Sequence, residues 1–98
     1  MDNRWYALAV QRRKESYVEQ QLSSLGYVVV CPRFLSLRRS SRKVTKTKAP
    51  IFPGYLFVEL NLERQNWREV NSNPGSNGLI NFGDRPYPLN RCFANRIR

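Results

Sequence analysis

The sequence predicts an α+β domain: a mostly antiparallel four-stranded sheet with helices packed on it, in the order β-α-β-β-α-β. Three observations point there. Four short β-branched or aromatic runs alternate with two stretches in which apolar residues recur at helical spacing. Clusters of Gly, Pro and Asn fall between them. The length of 98 residues suits one domain with a modest core.

Trp5-Tyr6-Ala7-Leu8-Ala9-Val10 reads as the first strand, ended by polar Gln11-Arg12-Arg13. From Lys14 to Leu25 the spacing becomes helical, with Val18, Leu22 and Leu25 in one stripe and Tyr17 beside it. Glu15 and Glu19 lie toward its N-terminal half, where the helix dipole favours negative charge, and Gly26 follows as a helix C-terminus prefers. Tyr27-Val28-Val29-Val30-Cys31 is a β-branched second strand stopped by Pro32. The span 33–48 is polar, carrying Arg38, Arg39, Arg42, Lys43, Lys46 and Lys48 and no acid. Alternation at Val44-Thr45-Lys46-Thr47 predicts a basic hairpin arm here.

Pro50-Ile51-Phe52-Pro53-Gly54 leads into the third strand, Tyr55-Leu56-Phe57-Val58-Glu59-Leu60. Asn61-Leu62 opens a short helix running through Trp67 and Val70, whose spacing puts both on one face. The breaker run from Asn71 to Gly78 ends it. Leu79-Ile80-Asn81-Phe82 is the fourth strand, closed by Gly83-Asp84. Pro86 and Pro88 mark an extended connector, and Asn90 caps a last helix that the chain end interrupts.

This order is the split βαβ arrangement of ferredoxin-like sandwiches, with the first and third strands at the sheet centre and both intervening helices on one face. Strand alternation then sends Leu8, Val10, Leu56 and Val58 under the helices. The opposite face carries Ala7 and Ala9 beside Tyr55 and Phe57, with Phe82 nearby: a hollow with a small-residue floor and aromatic walls. Either a partner fills it, or Tyr55 and Phe57 form a second buried layer.

Composition narrows the function. The formal net charge is +10 with no histidine, which favours a polyanion or an acidic surface as partner. Histidine, the commonest general base and metal ligand, is absent, the seven acids are scattered, and there is no phosphate-cradling glycine loop. No enzymatic activity, metal, cofactor or small-molecule substrate is therefore expected. No apolar run approaches a membrane span, and no signal peptide is visible, so a cytoplasmic protein is expected. Cys31 and Cys92 have no CxxC spacing. A disulfide between them stays open, small apolar fillers in a reducing cytosol being the preferred reading.

Two readings of the hollow follow. Gly54-Tyr55-Leu56-Phe57-Val58 overlaps the base-stacking motif of RNA-recognition-motif domains, which would make this a single-stranded RNA-binding module. Pro53, Leu56 and Leu60 depart from that motif, and Ala7 and Ala9 give the first strand no stacking ring.

The second reading rests on resemblance. Trp5-Tyr6-Ala7-Leu8, Pro32 closing the second strand, the basic arm, Pro50-Ile51-Phe52-Pro53-Gly54-Tyr55-Leu56-Phe57-Val58 and Phe82-Gly83 together resemble the N-terminal domain of the NusG family over nearly the whole chain. The specialised RfaH-like antiterminator branch looks similar too. The resemblance implies a transcription elongation or antitermination factor that grips the clamp helices of bacterial RNA polymerase, reaches toward the opposite polymerase lobe and suppresses pausing; a monomer is expected. It implies clamp-helix contacts at Phe52, Tyr55, Phe57 and Phe82, with Ala9 where the RfaH-like branch often has an aromatic residue. Gln11, Arg12 and Arg13, with Gln21 and Ser24 farther along the helix, fall where specialised members read non-template DNA. Asn73-Pro74-Gly75 stands where the family commonly has Thr-Arg-Gly. Asn66, Trp67 and Arg68 match the opposite-lobe region, although Trp67 equally suits the core. Family members usually carry a second, KOW-type β-barrel domain after a linker, so a longer full-length protein is expected.

Overall fold

The computed structural model describes residues 3–40 and 43–97, apart from the side chains of residues 38–40, 45 and 97. The main sheet has four strands: β1 (Arg4–Val10), β2 (Val28–Val30), β5 (Tyr55–Leu60) and β6 (Ser76–Leu79). Their order is β2-β5-β1-β6 and every pairing is antiparallel, so the first strand and the FPGYLFV strand occupy the centre as the alternation requires. A separate ribbon pairs β3 (Arg33–Ser40) with β4 (Lys43–Pro50) in continuous register from Arg33↔Pro50 to Ser40↔Lys43. This is the hairpin arm. Eight residues of strand span roughly 27 Å, in keeping with a molecule 52 Å long and 29 by 25 Å across.

Two helices cover one face. Helix α1 (Glu15–Ser24) begins one residue after the expected start and buries Val18 and Leu22. Leu25 leaves the stripe: it is the C-cap and is 53% exposed, because the chain turns away there. Gly26 takes φ +96, and its N–H and that of Tyr27 donate to the carbonyls of Ser23 and Leu22, closing the helix in a Schellman motif. Helix α2 (Trp67–Ser72) is shorter than expected. Asn61 does not open it but organises a preceding turn, its Oδ1 accepting the N–H groups of Glu63 and Arg64. Val70 is fully buried and Trp67 packs against the same core, as their spacing requires. Leu8, Val10, Leu56, Val58 and Leu60 lie beneath these helices in the first core cluster.

Two departures involve the end of the chain. The fourth strand starts at Ser76, inside the breaker run, and ends at Leu79. Gly78 sits opposite Ala9 and a bulge between Ala9 and Val10 absorbs the irregular sequence. Asn81–Phe82 (β7) instead pairs with Arg85–Pro86 (β8) in a small ribbon.

Helix α3 (Arg91–Ile97) packs on the other face of the sheet, with Asn90 capping it: its Oδ1 accepts the N–H of Cys92 at 2.8 Å. There Trp5, Phe57 and Ala94 are buried, with Ala7, Val30, Leu89 and Phe93 packed around them. The sheet is thus covered on both faces, one only in part. Cys31 and Cys92 are free thiols, one buried and one exposed. Among the described residues no helix is long and apolar enough to cross a membrane, and no group of three or more His, Cys, Asp or Glu side chains comes together.

Candidate functional site

Helix α3 divides the aromatic face. Phe57, which the alternation puts on an open hollow, is only 4% exposed. Its ring meets Phe52 at 5.4 Å and Phe93 at 5.7 Å between centroids, and Phe52 meets Phe93 at 5.9 Å, all edge to face. Mutual edge-to-face packing is the geometry that aromatic quadrupoles favour. Phe57 is therefore a wall beneath the surface, not a surface contact. This is the second buried layer, supplied by the chain's own last helix.

The part of the face beyond α3 stays open. Ala9 pairs with Tyr55 on one side and Gly78 on the other, so the middle of this row has almost no side-chain height. In the next row Ala7 pairs with Phe57, and the N–H of Ile80 donates to the Ala7 carbonyl at 2.9 Å. Tyr55 (41%), Phe52 (36%) and Ile80 (43%) are exposed around this low floor. Phe82 is 77% exposed on its separate ribbon, its ring 5.7 Å from that of Tyr87, and the Tyr87 N–H donates to the Ile80 carbonyl. It stands at the margin of the face and not on the fourth strand. Ile80 and Tyr87 were not singled out from sequence; the signal for Ile80 was its parity with Gly78.

One end of the sheet joins this face to cationic groups. The chain segment Phe52-Pro53-Gly54-Tyr55 closes as a turn, the Tyr55 N–H donating to the Phe52 carbonyl at 3.1 Å. Pro at the second position and Gly at the third, with Gly54 at φ +85, make it type II. The Val10 N–H donates to the Gly54 carbonyl and the Gln11 N–H to the Gly75 carbonyl, both at 2.8 Å. Gln11, Arg12 and Arg13 are exposed on the turn so pinned, Arg13 in the left-handed region at φ +69.

The other candidate residues lie apart. Gln21 and Ser24 sit toward the far end of α1, roughly 9–14 Å along the helix axis from its first residue, Glu15. They line one shallow depression with Leu25 and Asn73. Gln21 Nε2 donates to Tyr17 Oη and Ser24 Oγ to the Gln20 carbonyl. Asn66, Trp67 and Arg68 are at the start of α2, on the other face from the hollow; the Arg68 guanidinium stands 4.7 Å over the Trp67 ring. On the arm, Lys43, Lys46 and Lys48 are exposed, while Arg42 and the side chains of Arg38 and Arg39 lie outside the described residues. At the arm's base Arg33 meets Glu19 at 2.8 Å, tying it to α1.

The chain's relatives agree with this architecture. A solved structure described as "Domain interaction in Thermotoga maritima NusG" superimposes with a TM-score of 0.63 at 24% identity, covering 99% of this chain and 56% of that one. The transcription termination/antitermination protein NusG of Thermus thermophilus is 30% identical over 91% of this chain, and that of Bacillus subtilis 27% over 91%. The chain spans little more than half the length of these relatives, 56% and 57%. The family model described as "Transcription termination factor nusG" matches residues 3–98. With a match over almost its entire length, this chain belongs to the NusG family.

Proposed function

We propose that this domain is a transcription elongation or antitermination factor that docks on the clamp helices of bacterial RNA polymerase, and that it is a binding module without catalytic activity. The observation that carries the reading is the low floor of Ala9 and Gly78 ringed by exposed Tyr55, Phe52 and Ile80. Such a floor accepts apolar side chains from a helix tip, and aromatic rims of this kind supply the anchoring contacts in helix recognition. The relatives' designation as termination/antitermination proteins supports the same assignment. Arg12 and Arg13, on a turn beside that face, are suited to the phosphates of non-template DNA, and Lys43, Lys46 and Lys48 on the arm to longer-range attraction. The rings offered to a base-stacking ligand are fewer than the sequence suggests, since Phe57 is covered by α3.

The test is a binding titration with an isolated clamp-helix fragment. Wild type binds, Tyr55→Ala weakens binding by about ten-fold, as expected for loss of an aromatic anchor, and Arg12→Ala with Arg13→Ala leaves it unchanged. The same arginine variant weakens association with a transcription complex that displays non-template DNA. Tight binding to short RNA, lost in Tyr55→Ala and without clamp-helix binding, rejects the proposal in favour of an RNA-binding module.

A further inference from the structure

The turn that presents the two exposed rings is held from outside itself. Glu15, the first residue of α1, is buried at 6% exposure. Its Oε2 accepts the N–H of Gly54 at 2.8 Å, across 39 positions of sequence. That N–H belongs to the Pro53–Gly54 peptide, the central peptide of the Phe52–Tyr55 turn. A type II turn differs from a type I turn mainly in the orientation of this one peptide. A flip would swing the Gly54 N–H away from Glu15 and place a carbonyl oxygen where the carboxylate now stands. Type I is thus the alternative open to such a turn, and the buried acceptor favours the type II form seen here.

We infer that Glu15 is a positioning residue for the docking face: by holding the Pro53–Gly54 peptide it keeps the turn that carries Phe52 and Tyr55 in its type II form and limits the motion of both rings. The inference rests on the reading that this face binds a clamp-helix partner. Two further contacts make the position consequential. The Gly54 carbonyl is held by Val10, whose neighbour Ala9 is the floor of the face. Phe52 is wedged on Phe57 and Phe93, which holds the first residue of the turn. Val10 holds the carbonyl of Gly54, and Glu15 holds its N–H, the group that a flip of the central peptide would reorient. The left-handed φ of Gly54 is needed for this turn, whereas space is not limiting, since an added Cβ would lie 3.6 Å from the Val10 carbonyl.

The experiment compares Glu15→Ala, Glu15→Gln and Val70→Ala at a temperature where all are folded by circular dichroism. Val70→Ala opens a cavity under α2 and serves as a destabilised control remote from the turn. Three quantities are read: amide exchange at Gly54, the Tyr55 ring resonances, and affinity for the clamp-helix fragment. Glu15→Ala is expected to speed Gly54 exchange at least ten-fold, shift the Tyr55 ring resonances and weaken the affinity about five-fold or more, a change within reach of one charge-assisted hydrogen bond. Glu15→Gln keeps an acceptor oxygen and stays within about two-fold of wild type, because the hydrogen bond is retained in weaker form. Val70→Ala binds like wild type. Unchanged Gly54 exchange and Tyr55 resonances in Glu15→Ala overturn the inference whether or not the fragment binds. So does a loss of affinity in Val70→Ala equal to that in Glu15→Ala, which would make the effect one of general stability. Absence of binding by wild type, with the exchange and ring effects present, rejects the clamp-helix reading and keeps the positioning role.

Discussion

Truncating Phe57 and truncating Tyr55 should have opposite signatures, although the two residues share a strand face and differ by two positions. Phe57 is 96% buried and sits between Phe52 and Phe93. Reducing it to alanine uncovers on the order of 130 Å² of apolar surface, worth about 3 kcal/mol at 25 cal/mol per Å². Losing two edge-to-face contacts adds about 1 kcal/mol. The sum, about 4 kcal/mol, falls within the roughly 3–5 kcal/mol typical of buried Phe→Ala changes. Against a total stability of about 5–15 kcal/mol for a domain, that is a large share. Tyr55→Ala, by contrast, should cost about 1 kcal/mol or less, in line with partly exposed positions outside a core, while removing most of the affinity for the clamp-helix fragment. Urea unfolding followed by circular dichroism gives both stabilities from the transition midpoints, provided the m-value is unchanged. Stability losses that are equal, or larger for Tyr55→Ala, would refute the packing of α3 over Phe57.

Further outcomes follow from the same structure. Gly75→Ala should destabilise by about 2–3 kcal/mol in urea unfolding, because Gly75 has φ +93 and an added Cβ would lie 2.8 Å from Val18 Cγ2. Lys46→Gln and Lys48→Gln should each leave the log–log salt slope of duplex DNA binding nearly unchanged, as expected of groups that attract from a distance, whereas a drop of about 0.9 would show that each neutralises a phosphate. Cys92 should react at once with a thiol reagent while Cys31 is protected, and burial raises the Cys31 thiol above its ordinary 9.0. A raised native pKa means that the unfolded chain loses its proton first. The contribution of Cys31 to stability is thus complete below about pH 9 and falls as pH rises through the folded-state value, a decline that Cys31→Val should flatten.

Much of this was legible because one period-two pattern set the phase of the central strands. Once Leu8 and Leu56 pointed to one side, Ala7, Ala9, Tyr55 and Phe57 had to share the other, and the register bears this out. What strand phase alone cannot tell is which parts of the second face are covered. That depended on the segment after Asn90, whose Phe93, Ala94 and Ile97 are spaced for an amphipathic helix with the aromatic sheet face still unpartnered. Reading it as an interrupted tail left Phe57 on the surface. The fourth strand was misplaced for a different reason. Ser76-Asn77-Gly78 has the composition of a turn, and it pairs in the sheet because β1 supplies the partner groups and Gly78 needs no room beside Ala9. The Glu15–Gly54 hydrogen bond could not be read at all, since nothing local links residues 39 positions apart.

Charge and aromaticity are separated in this domain yet meet at one end of the sheet. The Gly54 carbonyl receives the Val10 N–H, and the next residue, Gln11, donates to Gly75, so the FPGY turn, the Arg12–Arg13 turn and the Pro74–Gly75 turn are joined through main-chain hydrogen bonds. The arm enters the same region: the Ile51 N–H donates to the Pro32 carbonyl at 2.8 Å, one residue before Phe52. A surface built this way presents an apolar floor and a cationic edge in fixed relation, since the FPGY turn is bonded to Val10 and the Arg12–Arg13 turn, through the adjoining Gln11, to Gly75. Asn66, Trp67 and Arg68 lie at the start of α2, on the opposite face of the sheet. On the proposed reading, polymerase protein and exposed DNA are therefore approached from one end of the domain as a single composite surface. Loss of Arg12 and Arg13 and loss of Tyr55 should then be close to additive in free energy for the full transcription complex, because each removes contacts to a different component while the scaffold between them stays intact.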